Sequence, residues 1–154
     1  MKFIVGLLWG MSVSLAALAA PWPYDERADA HTMLQQGLAD AQSQHKNLLI
    51  IFGANWCKDC RDLDKAMHGS SAELTASHFV VVKIDIGNFD KNLDLAQRYG
   101  NPIQKGIPAA VVVTATDQML YSTKAGELAD ARHMGATGIY DFFSKVLTAP
   151  HSPQ

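Results

Sequence analysis

Apolar residues recur along this chain in two rhythms. Between about Glu26 and Gln44, Ala30, Met33, Leu34, Leu38 and Ala41 return every three or four positions, which predicts an amphipathic helix. The next segment, NLLIIFG (47–53), is an unbroken apolar run of the kind found in a strand buried on both faces. A second helix is expected from near Cys57 to about Met67 with Gly69 as its stop signal, followed by a short helical turn over Ser71 to Ser77. β-Branched residues crowd HFVVVKIDI (78–86), which reads as a strand. DKNLDLAQRYG (90–100) is a helical pattern ended by Gly100. AAVVVT (109–114) and QMLYST (118–123) are predicted to be antiparallel strands turning near Thr116 and Asp117, and a last helix covers about Thr137 to Leu147. Strands alternating with helices imply βαβ units, and the final hairpin adds an antiparallel edge. The pattern therefore predicts an α/β fold, with a small mixed central sheet and helices on both faces.

The two ends do not share this patterning. MKFIVGLLWGMSVSLAALAA has one early Lys2, an apolar run and then small residues, the layout of a secretory signal peptide. Residues 1–19 are read as that signal, with cleavage after Ala19 or Ala20. An uncleaved helical anchor is the alternative, although Gly6, Gly10, Ser12 and Ser14 dilute the apolar run. Residues 20–25, including PWPY, are expected to be a proline-broken lead-in extended over the surface, 26–148 one domain, and 149–154 a disordered tail. The mature protein is thus expected outside the cytoplasm, in a bacterial periplasm. A length of 154 residues with 48% hydrophobic content supports a single domain with its own core, and a formal net charge of -2 argues against a nucleic-acid partner.

Both cysteines lie in one short stretch, GANWCKDCRD (53–62). A structural disulfide across two intervening residues closes almost no loop and stabilises little, so a staple is a poor reading even in an exported chain. On a helix beginning at Cys57, that residue shares a face with Arg61, Asp64 and His68, whereas Cys60 falls in line with Leu63 and Met67. Cys57 is therefore expected to be exposed at the helix start and Cys60 tucked toward the core. Such an asymmetry suits thiol–disulfide exchange, in which an outer thiol attacks and an inner one resolves the mixed disulfide. Free N–H groups at the helix start lower the Cys57 pKa; Lys58 and Arg61 push the same way, and Asp59 and Asp62 oppose them. No metal is expected: zinc needs two further ligands, and the six histidines show no ligand spacing. A c-type haem anchor would need His where Arg61 stands.

The stretches FGANWCKDCRDLD, VVVKIDI and KGIPAAVVV, taken in order, make the chain resemble the thioredoxin superfamily over roughly residues 26–147. It resembles more closely the exported bacterial thioredoxin-like branch. The resemblance implies a cis Ile107–Pro108 bond facing the cysteines. Because Pro108 has no N–H, the backbone of Ile107 would remain free to pair with an extended substrate peptide. Trp56 would form an apolar ledge over the disulfide. The resemblance implies no cofactor besides a redox-active Cys57–Cys60 disulfide. Three features depart from the family pattern. Ile51 stands where cytoplasmic thioredoxins have a buried Asp that assists the inner cysteine, which leaves Lys83 without its usual companion. Lys65 replaces the helix-kinking proline, and the interior dipeptide is Lys-Asp. Proton handling at Cys60 is then left to water, to Lys83 alone or to another carboxylate. The segment AGELADARHMGATG (125–138) exceeds the core fold and is expected to be a solvated loop.

The function expected from these residues is a periplasmic thiol–disulfide oxidoreductase, a monomer that reduces protein disulfides through Cys57 and Cys60. Its substrates would be protein disulfides or thiols, and its electrons would come from a membrane-embedded thiol transporter. The alternatives are an envelope dithiol oxidase or isomerase, and a non-catalytic peptide-binding module. Dedicated oxidases of the DsbA kind carry an inserted helical domain, for which this chain has no room. A thiol peroxidase is disfavoured because Trp56 precedes the first cysteine, where such enzymes have Thr or Ser.

Overall fold

The computed structural model describes residues 22–149. The expected signal peptide at 1–19 and the tail from 150 onward lie outside them. Helix α1 spans Ala30–Gln44, starting at the first apolar position of its pattern and four residues after the expected start at Glu26. Asp25 explains the delay: its carbonyl and carboxylate accept from the N–H groups of Ala28 and Arg27 in a turn, and Asp29 then caps the helix by accepting from Thr32 N at 2.6 Å. Strand β1 (Asn47–Gly53) leads through a short loop to α2 (Lys58–His68), which stops at Gly69. Helix α3 (Ala72–His78) feeds β2 (Phe79–Asp85).

The stretch predicted as one helix over 90–100 is shorter, α4 at Leu93–Arg98, followed by a 3₁₀ turn at Pro102–Lys105. Asn92 (φ 53°) and Asn101 (φ 54°) are left-handed and break the helix on either side. Strands β3 (Ala109–Val113) and β4 (Met119–Ser122) form the expected hairpin, with Asp117 left-handed in its turn. Helix α5 runs from Ala131 to Thr148, so it begins within the segment expected to be a loop. Among the described residues no helix is long and apolar enough to cross a membrane.

The sheet order is β2-β1-β3-β4, with β1 parallel to β2 and antiparallel to β3, and β3 antiparallel to β4. Leu48 to Phe52 of β1 and all of β3 are buried, which requires a covering layer on each face of the sheet. Helix α1 packs across β1 and β2, while α2, α3 and α5 pack on one another. The mixed α/β architecture read from the sequence is the one observed. Its consequence for function is positional: the C-terminal end of the central strand β1 delivers the chain directly into the loop that carries both cysteines.

Candidate active site

Cys57 is the N-cap of α2, in extended conformation (φ -73°, ψ 117°), and its sulfur accepts from Cys60 N at 3.2 Å. The thiol also faces the carbonyl of Ile107 at 3.6 Å, fifty positions along the chain. The Ile107–Pro108 bond is cis. This contact corrects one expectation: Cys57 is only 5% exposed, because the Ile107 loop folds over the start of α2. The asymmetry remains, since Cys60 is fully sealed among Leu63, Met67 and the sheet. Both cysteines are free thiols. The hydrogen bond from the Cys60 thiol, together with the backbone N–H groups of Cys60 and Asp59, lowers Cys57 to about 7 against burial and the Asp59 charge. Cys60 is driven strongly upward, first by that same hydrogen bond to Cys57 and then by burial. One sulfur is prepared to be a thiolate and the other holds its proton.

Of the described lead-in, Trp22 and Asp25 lie on the surface as expected, but Tyr24 is buried at 3% exposure. Asn55 pins it: Tyr24 N donates to Asn55 Oδ1 at 3.0 Å, and Asn55 Nδ2 donates back to Tyr24 O at 2.9 Å. The Tyr24 hydroxyl then reaches over Gly53 to the inner cysteine. A β-carbon on Gly53 would come within 2.2 Å of that hydroxyl and 2.9 Å of Cys60 Sγ, so only glycine fits at the end of β1. No apolar periodicity signals this arrangement; the available hint was an aromatic residue between a proline and an acidic turn.

The charged residues singled out from the sequence have partners of their own. Lys58 Nζ pairs with Asp62 at 2.7 Å, and Arg61 donates to the Asn55 carbonyl at 2.7 Å, so both cations are engaged elsewhere than at the sulfur. Asp59 is buried and accepts from Arg132 N at 3.0 Å, in the first turn of α5. The segment 125–138 therefore is not merely a solvated loop: Leu128 and Ala131 are core residues, and Arg132 is tied to the cysteine motif. Lys83 has a companion after all. It sits opposite Ile51 in the β1–β2 register, and its ammonium forms a salt bridge with Asp64 of α2. The acid missing from the strand is supplied by the helix, on the polar face that already grouped Asp64 with Cys57. Among the described residues no cluster of His, Cys, Asp and Glu is arranged to hold a metal ion.

Outside the sulfurs lies an aromatic shelf. Trp56 is 55% exposed, and its indole N–H is fixed to Gly87 O at 2.9 Å. Phe89, which sequence reading did not single out, stands beside it with ring centroids 6.3 Å apart and is itself exposed. Its left-handed backbone (φ 63°) presents an aromatic ring to solvent, an arrangement that costs stability at an ordinary surface position. A groove lies elsewhere, against α1, α3 and β2, and does not include either cysteine.

Residues 29–115 match the model of a family described as thioredoxin-like. The solved structure of a disulphide isomerase from Xylella fastidiosa Temecula1 is similar to this chain. The two are 55% identical with a TM-score of 0.80, over 84% of this chain and 99% of that one. A stretch of 54 residues, 34% of the chain, is 35% identical to the thiol:disulfide interchange protein DsbD of Vibrio cholerae, of which it covers only 9%. Match, strand order and the capping cysteine agree, and the chain belongs to the thioredoxin-like family.

Proposed function

We propose that this protein is an exported thiol–disulfide oxidoreductase that reduces protein disulfides, with Cys57 as nucleophile and Cys60 as resolving thiol. The observation that carries the reading is the pairing of a helix-capping, acidified Cys57, 3.6 Å from the Ile107 carbonyl, with a sealed, proton-holding Cys60. Cys57 thiolate attacks one sulfur of a substrate disulfide and releases the other as a thiol. Cys60 then attacks Cys57, forming the Cys57–Cys60 disulfide and freeing the second substrate thiol. The exposed aromatic pair of Trp56 and Phe89, which begins at the residue before Cys57, suits an extended polypeptide better than a small molecule. A value of about 7 for Cys57 favours the reducing direction, because deep stabilisation of the thiolate is what makes a dithiol pair a strong oxidant.

Export follows from reading residues 1–19 as a signal peptide, and an exported reductase needs a membrane thiol transporter to renew its dithiol. Disulfide isomerisation is the second reading, supported by the name of the 55% identical relative. The same Cys57 attack serves it, with a substrate thiol instead of Cys60 resolving the intermediate. The Cys60→Ser variant should trap substrates through Cys57, and the Cys57–Cys60 potential should lie near about -270 mV. A potential near about -120 mV would reverse the direction, and trapping that survives loss of Cys57 would overturn the roles. Isomerisation is distinguished by activity on a mispaired substrate with no net consumption of electrons.

A further inference from the structure

The lead-in residue Tyr24 has no role in the fold that requires its hydroxyl. Its ring fills a core position, and its backbone is already clamped twice by Asn55. Yet the hydroxyl is carried above Gly53, where it and Cys60 Sγ converge on the space a β-carbon would take, 2.2 Å and 2.9 Å from that point. Cys60 is sealed from solvent at 0% exposure, so water cannot readily solvate a charge on it.

We propose that Tyr24 is a catalytic hydrogen-bond donor to Cys60, stabilising the inner thiolate whenever exchange chemistry creates it. This rests on the thiol-exchange reading above. In the reducing direction the Cys60 proton passes to the first substrate thiolate, the one released when Cys57 attacks. The Cys60 thiolate then attacks Cys57 Sγ; the new Cys57–Cys60 bond forms as the mixed disulfide breaks, and the substrate leaves as a thiolate. In the reverse direction a substrate thiolate attacks Cys57, and Cys60 is the leaving group. Tyr24 keeps its own proton throughout and donates to the same sulfur in both directions, so it speeds exchange without choosing a direction. Burial drives the Tyr24 hydroxyl well above its ordinary value, so it stays a donor at neutral pH. Its bond to Cys60 lowers a thiol that the Cys57 hydrogen bond and burial otherwise raise. The charges packed nearby, Asp64 on Lys83 and Asp59 on the α5 backbone, are already partnered and offer Cys60 no competing donor.

The test uses a stoichiometric amount of dithiobis(nitrobenzoate) on the reduced protein. Attack by Cys57 releases one coloured thiol, and resolution by Cys60 releases the second. Tyr24→Phe, which keeps the buried ring, should leave the first phase unchanged and slow the second about tenfold, as expected for loss of a hydrogen bond to a charged group. The pH midpoint of the second phase should move upward. Replacing Tyr24 by a ring-fluorinated tyrosine, a more acidic donor of nearly the same shape, should speed that phase. Equal slowing of both phases would make Tyr24 merely structural, and unchanged second phases in both variants would also overturn the proposal. Failure of the parent reading looks different: the first phase would be missing, or would persist in Cys57→Ser.

Discussion

The sulfur of Cys57 balances three donors against two opposing influences, and Asp59 takes part on both sides. Its backbone N–H lowers Cys57, while its carboxylate raises it. Because the folded value is lowered to about 7, the thiolate is half populated there; reactivity should fall about tenfold per unit below that pH and level off above it. Alkylation by iodoacetamide should therefore show a midpoint near 7, well below that of an ordinary thiol. Asp59→Asn removes the charge but leaves an oxygen to accept from Arg132 N, so the midpoint should move down, and the potential to a less negative value, with stability nearly unchanged. Asp59→Ala should shift the midpoint the same way and cost about 1 kcal/mol besides, through loss of the bond to the first turn of α5. A midpoint that stays put in the Asn variant would rule out the charge as an influence. The sign of this charge was legible in CKDC, since a carboxylate two positions from a thiol opposes its ionisation. Its fixed position was not, because the partner that buries it lies 73 residues away.

Strands β1 and β3 were readable as elements because every residue from Leu48 to Phe52 and from Ala109 to Val113 faces a covering layer, so uniform apolarity and burial coincide. Helix α2 was readable through its capping position and the contrast between Cys60-Leu63-Met67 and the polar face. The opening of α5 was not. ADARHMGATG shows no apolar period, and the turn is held by the Asp59 tether and by Leu128 and Ala131 in the core. It also contains a break: Gly135 adopts φ 65°, ψ -178° within α5, a conformation closed to residues with a β-carbon. Helix propensity alone would favour alanine there by about 1 kcal/mol. The observed backbone reverses that sign, and Gly135→Ala should destabilise by about 1–3 kcal/mol through strain alone, since nothing lies within 4 Å of the added carbon. Urea unfolding of the variant measures it. A gain in stability would mean that α5 runs straight through position 135 at little cost and that the kink does not help to seat Arg132 on Asp59.

The core takes in Tyr24, so the folded domain begins before the expected boundary at residue 26. A boundary at residue 26 followed from the apolar rhythm of α1, which says nothing about a tyrosine behind a proline. Contacts that bury Tyr24 reach 31 residues forward to Asn55 and on to Gly53 and Cys60, across the whole first βα unit. No local pattern encodes a contact of that span; it depends on β1 ending in glycine and on the loop turning Asn55 back toward the chain start. Two neighbours therefore have opposite expectations. Tyr24→Ala removes a ring that is 3% exposed and should cost about 3–5 kcal/mol, as large-to-small changes of buried aromatics do. Trp22→Ala removes a larger ring that is 68% exposed and should stay within about 0.5 kcal/mol of the parent. Urea unfolding of the two reduced proteins separates them, with Tyr24→Phe as the intermediate case in which packing is kept and only the hydroxyl is lost. If Tyr24→Ala melted with Trp22→Ala, the lead-in would be an appendage and its contact with Cys60 incidental. If it melts far earlier while Tyr24→Phe remains close to the parent, ring and hydroxyl carry separate duties, one holding the lead-in to the core and the other facing the inner sulfur.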